Sequence, residues 1–156
     1  MATLTDAAGE VTGYDTLRGA LAKVKALSAH AQNASRYTVR LHRDVTEDVR
    51  ITGGKFTLDL NGKTATVPSG LNISGTTDIG IQNGKLVSDG TVSSASLTVS
   101  AAEGLGRITL QGSANVQFYP DASASDFKVE SANALLIMNG GTVGTIDMTG
   151  GEVRVH

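Results

Sequence analysis

A chain of 156 residues is long enough for one independently stable core and short for two ordinary domains. Its formal charge is -2, from 13 basic and 15 acidic side chains spread along the sequence, which argues against the basic footprint of a nucleic-acid binder. Cysteine is absent, which excludes a disulfide framework or thiolate metal site, and no apolar run approaches the roughly 20 residues that span a bilayer.

The opening "MATLTDAAGE" lacks the basic and then apolar regions of a signal peptide, and a piece cut from a longer exported protein would lack them as well. With 19 glycines against 2 prolines, no tryptophan and only 4% aromatic residues, the composition describes many short strands joined by tight turns and packed through aliphatic side chains.

One segment departs from that composition. In residues 15–31, "DTLRGALAKVKALSAHA", Leu17, Leu21, Val24 and Leu27 recur at steps of three and four, which predicts an amphipathic helix with these four side chains on its buried stripe. Asp15 or Thr16 is placed to cap its first turn. Residues 1–36 are therefore read as an N-terminal segment with a capping helix, and residues 37–156 as one body of strands.

After the helix the period changes to two. In "YTVRLHRDV", Tyr37, Val39 and Leu41 share one side, while Thr38, Arg40 and His42 share the other. Further strands are expected at Val49–Ile51, Phe56–Leu60, Leu71–Ile73, Ile79–Ile81, Leu97–Val99, Ile108–Leu110, Val116–Phe118, Phe127–Val129, Leu135–Ile137, Ile146–Met148 and Val153–Val155. Most are three to five residues long.

"FTLDLNGKTATV", Phe56 to Val67, has the form of a hairpin around an Asn-Gly pair. Echoes of it return, however, as "IGIQNG", "ITLQG", "LLIMNG" and "TIDMTGG". The glycines that follow the first four segments, Gly62, Gly84, Gly112 and Gly140, lie 22, 28 and 28 residues apart. A single hairpin leaves the echoes unexplained, and a β-sandwich would bring longer strands and a larger aromatic core. A solenoid accounts for both, with the Asn-Gly pairs at its corners. Leu58, Ile81, Leu110 and Ile137 are then expected inside, with pairing between segments about 20 to 28 residues apart.

"RYTVRLHRDVTEDVRITGGKFTLDLNGKTATV", preceded by "YDTLRGAL", resembles the start of the right-handed parallel β-helices of the pectate-lyase-like superfamily, especially the repeat-bearing forms in large bacterial surface proteins. The match is concentrated in residues 14–67. The resemblance implies an all-β, right-handed, single-stranded parallel β-helix with a helix over its N-terminal end. It implies little about activity, because one scaffold in that superfamily carries lyases, hydrolases, adhesins and phage spikes.

No assembled chemistry is legible. "HRD" at His42–Asp44 matches three letters of a kinase catalytic loop without the glycine-rich loop, the paired lysine or the length of a kinase. "GGTVGTID", Gly140–Asp147, lacks the lysine of a phosphate loop and the spacing of a calcium-binding glycine repeat, and reads as corner glycines. Asp59, Asp78, Asp89, Asp121, Asp126 and Asp147 fall in different coils with no D-x-D or D-D pair, so a carboxylate site requires stacking between coils. For Asp59 a position beside a corner, bonded to the following turn, is available. No Gly-x-Ser-x-Gly elbow occurs, and only His30, His42 and His156 could act as a base. The sequons at Asn33 and Asn72 receive no role.

Catalytic, cofactor-binding and metal-binding residues are thus all expected to be none, and no cofactor is implied. The expected function is a non-catalytic structural or binding module of a bacterial cell-surface protein or phage fibre, acting outside the cell and displaying an adhesive surface to a glycan or protein. Tyr119, in "QFYPDAS", is the weak candidate for ligand contact, with anchoring of its own coil as its other role. The alternative is a polysaccharide lyase or hydrolase, or a fragment of one. The strand-like end "GGEVRVH" is expected to leave the final coil open, which suits a piece of a longer modular protein or self-association through that coil.

Overall fold

The structure, a computed structural model, describes residues 2–28 and 37–156. In chain order it comprises β1 (Ala2–Thr5), β2 (Val11–Tyr14), α1 (Leu17–Ser28), β3 (Thr38–Leu41), β4 (Val45–Thr46), β5 (Arg50–Ile51), β6 (Gly54–Asp59), β7 (Thr64–Thr66), β8 (Leu71–Ser74), β9 (Thr77–Ser93), β10 (Ser96–Gln111), β11 (Asn115–Phe118), β12 (Ser123–Val129), β13 (Leu135–Met138), β14 (Thr142–Met148) and β15 (Glu152–Val155). From β3 onward every strand pairing is parallel. The result is a β-solenoid of about six turns.

Three stacks of strands run along it. The first contains β3, β6, the start of β9, the start of β10, β11, β13 and β15. The second begins with β4, β7 and the Lys85–Val87 part of β9. The third contains β5, β8 and the later parts of β9, β10, β12 and β14. Phe56–Asp59 pairs in parallel with Ile79–Gln82 and not back onto Thr64–Thr66, so Asn61-Gly62 is a corner rather than a hairpin turn.

Alternation along each strand sends every second side chain inward, and register places it over its counterpart in the coil before. Leu4, Val39, Leu58, Ile81, Val99, Phe118 and Met138 form one such column, all buried. Ile51, Ile73, Val92, Leu110 and Val129 form another on the third stack. Phe118 and Phe127 meet edge to face across the core, with ring centroids 4.9 Å apart.

Three sequence expectations need correction. Paired residues lie between 17 (Ser88 with Leu105) and 23 (Leu58 with Ile81) positions apart, below the expected range at its lower end and never near 28. The glycine spacing misled because Gly112 belongs to a different corner: it follows the third stack, whereas Gly62, Gly84 and Gly140 follow the first. Ile137 points outward and is half-buried, while Leu136 and Met138 face the core. "LLIM" is apolar at every position, so hydrophobicity alone could not set its phase, and a slip of one residue exchanges the faces. Finally, β9 and β10 are 17 and 16 residues long, because the chain keeps its pairing while rounding a corner.

The N-terminal end is closed by more than a helix. β1 pairs antiparallel with both β2 and β3, so a hairpin that the sequence did not announce covers the first strand edge. Helix α1 packs beside it and against β6, burying Leu17, Ala20, Leu21, Val24 and Ser28. Leu27, expected in the stripe, is 40% exposed. At about 100° per residue it lies some 80° from the centre of the buried face. The expected helix end at residue 31 lies outside the described residues.

At the other end the strands of the last coil present their inward residues with little cover: Ile146, Met148 and Val155 are 36%, 45% and 74% exposed.

Leu21→Asp, which places a charge between α1 and the first coils, is expected to cost at least about 3 kcal/mol and to abolish the cooperative melt followed by circular dichroism. Phe118→Ala is expected to lower urea-unfolding stability by about 3–5 kcal/mol with the solenoid fold retained.

Candidate functional site

The corner "LDLNGK" shows how the scaffold uses its polar residues. Asp59 is only 5% exposed although it points away from the core, because Arg40 of the preceding coil lies over it with Nη2 at 3.0 Å and Nε at 3.0 Å from Oδ2. Its Oδ1 accepts the Asn61 N–H at 2.9 Å, the backbone bond expected from sequence. Asn61 and Asn83 both adopt left-handed backbone, with φ of 53° and 63°. The Asn61 Nδ2 donates to Leu41 O at 3.0 Å, and the Asn83 Nδ2 faces Asp59 Oδ1 at 3.5 Å. This carboxylate is a corner fastener.

An open groove of about 710 Å³ lies where the helix meets the first coil, lined by Asp15, Thr16, Arg18, Arg43, Glu47 and Asp48 among others. Thr16 Oγ1 accepts the Gly19 N–H at 3.0 Å and confirms Thr16 as the side-chain cap. The Leu17 and Arg18 N–H groups instead donate to the Glu47 carboxylate at 2.8 and 3.1 Å. Glu47, which sequence reasoning did not single out, therefore fills the anion position at this helix terminus from 30 residues away. Arg18 donates to Asp48 O and Arg43 to Asp15 O, so this groove is also a joint between cap and solenoid. Of the "HRD" residues, Arg43 borders the cap, His42 Nε2 lies 2.8 Å from Thr3 Oγ1, and Asp44 accepts the Thr64 N–H.

Acidic residues scattered in the sequence do approach one another on the outer side of the third stack. Arg107 places its Nε 2.6 Å from Asp126 Oδ2, and Asp89 accepts the Arg107 N–H at 2.9 Å. The bond to Asp126, followed by the nearby negative charges of Asp126, Asp147 and Asp89, raises the Arg107 pKa. In the sequence Asp89 lies 18 residues before Arg107, Asp126 19 after it and Asp147 40 after it, so only coil stacking brings them near one guanidinium. Beside them, Lys128 pairs with Glu130 at 2.9 Å and Gln111 bonds Glu130, and these contacts, the Gln111 bond foremost, hold the Glu130 carboxyl below its ordinary range. Asp78 and Asp121 are exposed and take no part in this group.

Tyr119 is 37% exposed and its hydroxyl donates to Gln117 Oε1 on the same outer face at 3.1 Å. Among the described residues no three His, Asp or Glu side chains are gathered as a cation would require. His30 and Asn33 lie outside the described residues, and Asn72 is exposed on β8. No described helix is long and apolar enough to cross a membrane.

No family model, curated protein or solved structure matches the chain.

Removing the remote cap by Glu47→Ala is expected to lower unfolding stability by about 1 kcal/mol, with Glu47→Gln between it and the parent, as measured by urea titration. The depressed Glu130 pKa contributes stability above its unfolded value that is lost as pH falls through the folded one. Glu130→Gln should therefore flatten the acid side of the stability profile, from the ordinary glutamate range downward, as followed by urea titration at falling pH.

Proposed function

We propose that the chain is a non-catalytic, extracellular β-solenoid module that holds a flat polar surface at a fixed distance within a bacterial cell-surface protein or phage fibre. The observation that carries this reading is the outer side of the first stack. Thr38, Thr57, Gly80, Thr98 and Gln117 succeed one another at the same register position, each on the next coil, over one uninterrupted apolar core, with Thr5 of the capping hairpin before them and Ile137 and Arg154 after them. Strand pairing spaces such a row at about 4.8 Å, so the side chains form a regular lattice whose geometry the backbone dictates. Small hydroxyl and amide groups of this kind suit hydrogen bonding to a glycan or a protein surface, and Tyr119 borders the row beside Gln117. The similarity of residues 14–67 to pectate-lyase-like β-helices of surface proteins supports the same reading.

One observation favours a second reading, a polysaccharide lyase or hydrolase: the approach of Asp89, Asp126 and Asp147 to Arg107. Against it, Asp126 is engaged by the guanidinium and Asp89 by the backbone.

Incubation with polygalacturonate, with and without Ca²⁺, is expected to yield neither unsaturated products nor new reducing ends. Product formation that disappears in Asp126→Asn would replace the display reading with the enzymatic one. On a glycan array, Tyr119→Ala is expected to weaken whatever binding the parent protein shows.

A further inference from the structure

Three Asn-Gly pairs follow strands of the first stack, Asn61-Gly62, Asn83-Gly84 and Asn139-Gly140, and by sequence they are alike. An Asn followed by Gly is the dipeptide most prone to lose its side-chain amide, since no side chain shields the following backbone nitrogen. The fold treats the three differently. The Gly62 N–H is already committed, donating to Asn83 O at 2.6 Å, and the Asn61 carboxamide is tied to Leu41 O. Asn83-Gly84 sits inside the continuous strand β9, with Gly84 paired to Ala102 of the next coil, Asn83 O accepting the Gly62 N–H of the coil before, and the Asn83 carboxamide against Asp59. Gly84 is packed so closely that a Cβ there would lie 2.5 Å from the Leu60 Cβ.

Among the described residues, Asn139-Gly140 has neither a tied carboxamide nor a place inside a strand, although Gly140 is also closely packed, with a Cβ there 2.9 Å from Pro120. It lies in a bend between β13 and β14 and not in a strand, and its backbone differs: Asn139 is not left-handed, whereas Gly140 and Gly141 take φ of 148° and 84°. The Asn139 N–H donates to Phe118 O, but among the described residues neither the Asn139 carboxamide nor the Gly140 N–H has a hydrogen-bond partner. The strand that follows, β14, is the least buried of the third stack, so opening this corner disrupts little packing.

We infer that Asn139 is the spontaneous deamidation site of this protein and that Asn61 and Asn83 are protected by the fold. The Gly140 backbone nitrogen attacks Asn139 Cγ. The new N–Cγ bond forms as the Cγ–Nδ2 bond breaks, and ammonia leaves with the proton given up by the Gly140 nitrogen. Water then opens the five-membered imide at Cγ to give aspartate, or at the backbone carbonyl to give isoaspartate, which lengthens the main chain at that corner. Either product places a new carboxylate two coils from the Ser100 position on the face that carries Tyr119.

The test is a peptide map of the intact folded protein aged at mildly alkaline pH, beside a second sample aged in denaturant. In denaturant all three pairs should convert at comparable rates. In the folded protein Asn139 should convert about tenfold faster than Asn61 or Asn83, the ratio given by a local opening free energy lower by about 1.4 kcal/mol. Asn139→Gln should remove that product and leave the melting temperature unchanged. Equal rates at the three sites in the folded protein, or faster conversion at Asn61 or Asn83, or no conversion at Asn139 while the denatured sample reacts, would each overturn the inference.

Discussion

The whole molecule depends on one constraint: the backbone of each coil must pair in parallel with the coil before it while its apolar residues land on those already in place. A parallel ladder has evenly spaced hydrogen bonds and does not by itself select one register over the next. The inward columns do, because a shift of one residue would turn Phe118, Val116 and their neighbours out to water. Burial of the aliphatic columns and saturation of the ladder are therefore coupled, and neither stabilises the solenoid alone.

Corners are where this constraint is hardest to meet, since the chain must turn without leaving buried donors or acceptors unpaired. Several polar side chains serve that task. Asp59 binds the next turn and is covered by Arg40, Asn61 reaches back to Leu41, Asp44 receives the Thr64 N–H, and Asp48 receives the Ser69 N–H. Glu47 serves the helix in the same way across the joint between cap and first coil. Carboxylates that in another setting would suggest acid–base chemistry here act as acceptors for backbone donors.

The outer faces are under weaker constraint, because an outward residue has only to tolerate its neighbours on adjacent coils. Thr57, Thr98 and Gln117 could change without moving the core, and this freedom allows such a scaffold to carry a binding surface. It also explains why function is less legible than fold: the residues that maintain the solenoid are constrained by packing, and those that would contact a ligand are not.

From the sequence alone, the amphipathic stripe of α1, the two-residue period from Tyr37 onward, the corner role of Asn61-Gly62 and the backbone bond of Asp59 could be read, since each depends on residues close together in the chain. The phase of "LLIM", the true coil length, the hairpin of β1 and β2, the capping by Glu47 and the meeting of Asp89, Asp126 and Asp147 at Arg107 could not. Each of these depends on which residue of one coil lies over which residue of another. Coils of unequal length make that correspondence impossible to count from glycine spacing, so it is settled only when the columns pack. Local periodicity thus determined that this chain winds into a solenoid, and tertiary stacking decided which of its polar groups meet.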